Sequence, residues 1–401
     1  MQIPVDIKAI FDEATDIDAA RQTPVFAAVY IDESAPQDVQ AFVRASFSST
    51  APNARVSISY FPTMAVAPVP DADLAVVVAG LDASCGRVAR EMREAGVPAM
   101  VVTTLPSLAA QIAAEAGDPI PDGDVVAPPA PPADPAALPA RAGDTGEPWP
   151  LDDEARRALA VRMGQWVIDA CREKRLAMAL AFPFVRKPMA LDAVNATAAQ
   201  NAGVGLVVFI PGADMPIMTL NQAKMLLQIA AAYGQPLGLE RVKELAAVVG
   251  GAFACRTVAR QLVAFVPALG WAVKAAIGYA GTLAMGRAAV EYFEGDGSIE
   301  HLAEVVGRAR DKAVMAAEAA RAADTPAEAV KSAAGVVTGK VRGVARNVRE
   351  KGPRVARDVA DSAVSAAVEG TVGDTVADKA AGAARSAMNA VSNVVTRRFT
   401  K

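Results

Sequence analysis

Four short runs, PVFAAVYID, ARVSISYF, ADLAVVVAG and VPAMVVTT, follow one another between Pro24 and Thr104, each largely apolar and each bounded by Pro, Asp or Gly. A fifth and weaker run, DVVA, ends at Ala127. Continuous apolar runs of this length read as strands buried on both faces. Between them, Pro36 to Phe47, Ser84 to Ala95 and Leu105 to Ala116 carry helical spacing. Strands that need cover on both sides, joined by helical crossovers, imply a mostly parallel sheet. Residues 1–126 are therefore expected to form a small doubly wound α/β domain.

A nucleotide-binding sheet of this kind needs a phosphate loop after its first strand. A P-loop uses glycines so that backbone amides face the phosphates, and a lysine to neutralise them. Here VFAAVYI runs into DESAPQDVQAF, with three acids and no glycine, which would repel phosphate. The loop from Gly80 to Gly86 has the wrong spacing and no lysine, and GVVTGK at Gly335 to Lys340 is one residue short and lies on a helical pattern. Other chemistry is also thinly supplied. The single histidine, His301, removes multi-histidine metal sites and leaves a catalytic triad without support. Cys85, Cys171 and Cys255 lie far apart with no paired spacing, which argues against a disulfide framework and for a reducing compartment. Cys85 follows a strand and precedes a helix, where a lowered thiol pKa is one reading and a small buried residue the other. No catalytic residue, metal site or cofactor is expected.

Residues 127–150 contain eight prolines and read as an extended, semi-rigid linker. Helical periodicity resumes at LDDEARRALAVRMGQWVIDACREKRL, with acids in its first turn and bases near its end, as the helix dipole favours. From there to residue 297 a helical, apolar domain is expected, broken at Pro183, Pro188, the Pro211 to Pro216 hinge, Gly234 to Gly238 and Gly250-Gly251. The chain is 53% hydrophobic but only 5% aromatic, so small side chains dominate its packing. Gln261 to Val273 and Ala275 to Gly286 are uncharged runs of 13 and 12 residues separated by Lys274. Neither reaches the ~18–20 residues that span a bilayer. Joined, they would bury Lys274 at a cost of roughly 3 kcal/mol. A water-soluble bundle and a membrane-inserted one both fit this length. The N-terminal MQIPVDIKAIFDEATDIDAA is acidic, without the basic and apolar regions of a secretory signal.

Within the apolar part, IPGADMPIMTLNQAKMLLQIAAAYGQPL, from Ile210 to Leu237, carries the densest set of local signals. Pro211 and Gly212 form a turn, and Thr219 with Gln222 fits a capping box that would start a helix at Leu220. Gly234 and Pro236 would end that helix at Tyr233. Asp214, a carboxylate in an apolar setting, needs hydrogen bonds or a partner, with Lys224 and Arg186 available. It is either a turn-former or a group facing a ligand, ion or partner.

Charge is unevenly distributed. Residues 1–150 hold 8 basic and 20 acidic side chains, whereas Lys331 to Arg357 holds eight basic residues against Glu350 alone. In that segment Val337, Val341, Val344, Val348, Val355 and Val359 fall on one helical stripe. Lys340, Arg342, Arg346, Arg349, Lys351, Arg354 and Arg357 would suit an anionic lipid surface, on a basic tail spanning 298–401 that is helical or partly disordered. No aromatic residue accompanies the basic run, which disfavours nucleic acid.

The string from Ile210 to Leu237, followed by LERVKEL and GWAVKAAIGYAGT, resembles a bacterial family known as domain of unknown function 697, over about residues 176–293. The resemblance implies an α-helical, membrane-associated module of the inner-membrane type that accompanies GTPase domains. In that light the N-terminal domain is similar to a GTPase that has lost its P-loop, with Thr103-Thr104-Leu105-Pro106 where the base-reading Asn-Lys-x-Asp would stand. Taken together, these features lead to the expectation of a non-enzymatic scaffold or regulatory protein at the cytoplasmic side of the inner membrane, with a pseudo-GTPase head. Its partners would be anionic lipids and an unidentified protein, with self-association left open. Two alternatives remain: a transport or ion-handling module using Asp214 and Lys224, and a soluble regulator of a separate GTPase.

Overall fold

The computed structural model describes residues 7–62, 67–130, 148–207, 214–237 and 270–295, with Met315, Ser332 and Gly335. Its contacts divide the chain into two compact units. One comprises Thr15–Ala190 and Ala230–Pro236, the other Met1–Ala14, Leu191–Ile229 and Leu237–Lys401.

The first unit contains the expected parallel sheet. Strands β1 (Val25–Asp32), β2 (Ala54–Phe61), β3 (Leu74–Val78), β4 (Ala99–Val102) and β5 (Val125–Val126) lie in the order β2-β1-β3-β4-β5. Every pairing is parallel, with Val25 opposite Ala54 and Ala27 opposite Leu74. β1, β3 and β4 are buried along their whole length. Because side chains alternate, Phe26, Ala28 and Tyr30 share a face with Ala75, Val77, Ala99 and Val101. That face forms one core with Val88, Ala89 and Met92 of α3 (Cys85–Glu94) and Ala109 and Ala113 of α4 (Pro106–Glu115). α2 (Gln37–Ser46) buries Val39 and Val43. β2 is an edge strand and half-exposed, which accounts for the Arg and Ser residues in its run. α1 (Ile7–Arg21) is an addition to the expected elements, with Ile10, Ala14, Ile17 and Arg21 forming one buried stripe beneath an acidic face.

The first unit also runs beyond the expected boundary at residue 151. α5 (Asp153–Ala170) begins at an Asp152 cap, whose Oδ1 accepts the Ala155 N–H at 2.8 Å. Arg162 of α5 donates to the carbonyls of Ala127 and Pro128 at 2.7 and 2.9 Å, and Trp166 Nε1 donates to Gly123 O. A 3-10 turn, Arg172–Lys174, leads into α6 (Arg175–Ala181). There Lys174 pairs with Asp73 at 2.6 Å, next to the start of β3. On the other side of the proline-rich stretch, Trp149 N–H donates to Thr104 O at 2.7 Å. Both flanks of residues 131–147 are thus anchored to the same α/β unit, whereas an interdomain linker was expected; residues 131–147 themselves lie outside the described residues.

α7 (Pro183–Val207) corrects the expected break at Pro188, which lies inside the helix. Proline at this position has no N–H for the Phe184 carbonyl four residues earlier. That carbonyl and the Pro188 ring instead abut Gly164 of α5, where a Cβ would sit 2.7 Å from each. Pro183 itself opens the helix, a position that needs no N–H.

The helical unit contains most of α7, α8 (Asp214–Ala232) up to Ile229, and α9 (Gly270–Glu294). α8 corrects a second expectation, since it starts at Asp214 rather than Leu220. Pro216 falls in its first turn, where backbone donors have no intrahelical partner in any case. Thr219 and Gln222 are buried mid-helix at 3% exposure each and form no N-terminal cap. The far end is as expected. Gly234 has φ +73°, and the N–H groups of Gly234 and Gln235 bond Ala231 O and Ala230 O, which is a Schellman ending.

α9 packs on α7 through glycine. A Cβ at Gly278 would lie 3.0 Å from Asn201 O, and one at Gly286 would lie 2.4 Å from the Val194 side chain. The pairs 278 with 201 and 286 with 194 make the two helices antiparallel. Among the described residues no helix is long and apolar enough to cross a membrane. Residues 261–269 of the first uncharged run lie outside the described residues.

Candidate functional site

In a doubly wound sheet of this order, the connections leave β1 and β3 in opposite directions and open a crevice at their carboxyl ends. Ligands of such folds bind there. The residue at that point is Asp32, the last of β1, fully buried. Its Oδ2 accepts the N–H groups of Gly80 and Asp82 at 2.8 and 3.1 Å, and its Oδ1 accepts the Ser34 N–H and hydroxyl at 2.8 and 2.7 Å. The Ser34 hydroxyl oxygen in turn accepts the Leu81 N–H at 2.7 Å. The loop after β1 therefore lies directly on the loop after β3. No side chain fits between them, because a Cβ at Gly80 would stand 2.4 Å from the Ala35 nitrogen.

Cys85, Thr103 and Thr104 at this end face inward. Cys85, the first residue of α3, is buried, with Sγ 3.5 Å from Asp32 Oδ2. Burial pushes its thiol well above the ordinary range and the Asp32 charge pushes it further, so the reading of a lowered pKa is corrected. At the end of β4, Thr103 and Thr104 are both fully buried, and Thr103 Oγ1 accepts the Leu105 N–H. The Thr103 hydroxyl thus caps the turn that leads into α4.

At the amino end of the same unit a cavity of about 500 Å³ is lined by Arg21, Ser49, Leu180, Ala181, Arg186 and Tyr233, among others. It lies where α1, α2, α6 and α8 end, and helix carboxyl ends leave carbonyls unpaired. Its polar side chains serve those carbonyls. Arg21 bonds Gln235 O at 2.7 Å as well as pairing with Asp18, Ser49 Oγ bonds Ala181 O at 2.7 Å, and Arg186 Nε bonds Ala179 O at 3.4 Å. Cations at helix carboxyl ends are stabilising in their own right.

The site residues expected in the helical unit are placed differently. Asp214 is the first residue of α8, while Pro211 and Gly212 lie outside the described residues. Lys224 pairs with Glu13 of α1 at 2.7 Å. The polar centre of this unit is a group that local sequence signals do not single out. Thr282 Oγ1 of α9 donates to Gly278 O at 2.7 Å and accepts from Asn201 Nδ2 of α7 at 2.8 Å and Gln222 Nε2 of α8 at 3.0 Å. Asn221 Nδ2 completes the set on Asn201 Oδ1 at 2.9 Å. The four polar residues are visible in the sequence; the pairing of Thr282 with Gln222 and Asn201, 60 and 81 positions away, is not. The basic residues from Lys340 to Arg357 lie outside the described residues.

No group of three or more His, Cys, Asp or Glu suited to a metal ion occurs among the described residues. Compared with family models, with curated proteins and with solved structures, the chain matches none.

Proposed function

We propose that this protein is a non-enzymatic scaffold or regulatory protein, with a pseudo-GTPase head and a helical part that associates with the cytoplasmic face of the inner membrane. The observation that supports the head's assignment is Asp32. In nucleotide-binding sheets, backbone amides at the carboxyl crevice hold phosphate oxygens. Here the amides of Gly80 and Asp82 already hold a carboxylate from the same chain. A phosphate entering the crevice would meet that negative charge and find those donors occupied. The buried Thr103 and Thr104 at the end of β4 fit the same reading.

Membrane association in this proposal is with the lipid surface, through Lys340, Arg342, Arg346, Arg349, Lys351, Arg354 and Arg357. Each basic residue near an anionic leaflet contributes about 1 kcal/mol. The transport alternative would require Lys224 to exchange its pair with Glu13 for a transported ion or solute.

Two measurements test the proposal. Fluorescent GTP or GDP titrated into the full chain should give no saturable binding at micromolar concentration, and saturation there would remove the pseudo-GTPase assignment. The full chain should float with phosphatidylglycerol-containing vesicles and lose that binding as salt rises. Equal flotation with neutral phosphatidylcholine vesicles would rule out the electrostatic attachment.

A further inference from the structure

The hydrogen bonds of Asp32 converge from two loops that are 48 to 50 residues from it or adjacent to it, and every one donates to the carboxylate. Backbone amides from separate turns aimed at one anionic group are the arrangement by which proteins bind free oxyanions. The Asp32 side chain here is fully buried. The Cys85 thiol closes the remaining side at 3.5 Å.

We propose that Asp32 is an internal ligand occupying an oxyanion site formed by Gly80, Asp82 and Ser34, and that the vacated site takes up a small free carboxylate. This role rests on the pseudo-GTPase reading and specifies how its crevice is kept in order. A sheet whose loops are ordered by a dissociable anion changes shape as that anion comes and goes. A sheet that carries the anion on its own first strand holds one arrangement permanently. The surface made by the loops after β1 and β3, where Leu81 is exposed, is then presented to partners whatever the nucleotide supply.

The test is chemical rescue of the full chain. The group deleted by Asp32→Ala has the same heavy atoms as formate. In chloride buffer the variant should melt about 10 °C below the parent, the shift expected from leaving several buried donors unpaired in a unit of this size. Formate at matched ionic strength should restore at least half of the loss along a saturating curve, while leaving the parent unchanged. Asp32→Leu, which fills the space with carbon, should melt low and gain nothing from formate. If the alanine variant does not accumulate as soluble protein, its refolding yield in formate against chloride gives the same comparison. No formate-specific recovery in Asp32→Ala, or equal recovery in Asp32→Leu, would overturn the inference while leaving the nucleotide titration to judge the head separately.

Discussion

Replacing Thr282 by Val keeps the shape of the side chain and removes the oxygen on which three helices meet. Gly278 O loses only an additional donor, because it sits within α9. Asn201 Nδ2 and Gln222 Nε2 lose their acceptor in the interior, where Asn201 and Thr282 are fully buried and Gln222 nearly so. A buried donor left unpaired costs about 1–3 kcal/mol, so two cost roughly 2–6 kcal/mol before relaxation. The added methyl returns up to about 0.8 kcal/mol. A net loss of about 2–4 kcal/mol is expected, read as a lower urea midpoint by circular dichroism with an unchanged slope. Thr282→Ser keeps all three bonds and should cost only about 1 kcal/mol for the missing methyl. A valine variant within about 0.5 kcal/mol of the parent, or a serine variant less stable than the valine one, would refute the reasoning. The magnitude also reports on the solvent around the unit, since interhelical hydrogen bonds inside bilayers average only about 0.6 kcal/mol.

Gly164→Ala should destabilise the α/β unit by about 1–3 kcal/mol despite alanine's better helix propensity, because its Cβ meets a carbonyl oxygen and a proline ring at 2.7 Å. Gly281→Ala, where nothing lies within 4 Å, should stabilise by about 0.5–1 kcal/mol, and thermal melts of the pair decide the matter by their opposite signs. Burial, with Asp73 adding to it, raises the Cys171 thiol to about 12. The unfolded chain releases that proton near pH 9 while the folded chain holds it, so stability is intact below about pH 9 and falls toward pH 12 by about 1.4 kcal/mol per pH unit. Urea midpoints at about pH 8 and pH 10 should converge partly in Cys171→Ala; an unchanged difference would exclude this origin. Lys224→Met should cost under about 1 kcal/mol, since the pair with Glu13 is partly exposed, and Glu13→Gln combined with it should add little. A cost of several kcal/mol in denaturation would show Lys224 to be bound to something more than Glu13.

The sheet is legible because its strands are bounded runs, and each expected strand and crossover helix lies within two residues of its observed limits. Buried parallel strands leave a strong local pattern, and the strand ends carry Pro, Asp and Gly for backbone reasons. α1 is hard to read because its buried stripe is offset by Asp12, Glu13, Asp16 and Asp18, which lower its average hydrophobicity. Pro188 and the Thr219 to Gln222 pair mislead for a common cause. Both are local signals whose meaning changes when another helix supplies the contact, Gly164 in the first case and Thr282 in the second. Asp32 is visible as an acid ending an apolar strand. That it holds the Gly80 and Asp82 amides depends on which strands are neighbours, and only the β1 to β3 adjacency brings those residues together.

The anchoring of Pro128 by Arg162 and of Trp149 by Thr104 bears on how the molecule would come apart. A protease cutting anywhere between residues 131 and 147 would produce two polypeptides on a denaturing gel. Under native conditions the nicked protein should still migrate as one particle, because strands β1 to β5 and helices α5 and α6 belong to one compact unit. Severing that stretch would not release the head from the rest of the chain, because its described flanks are held by the same unit.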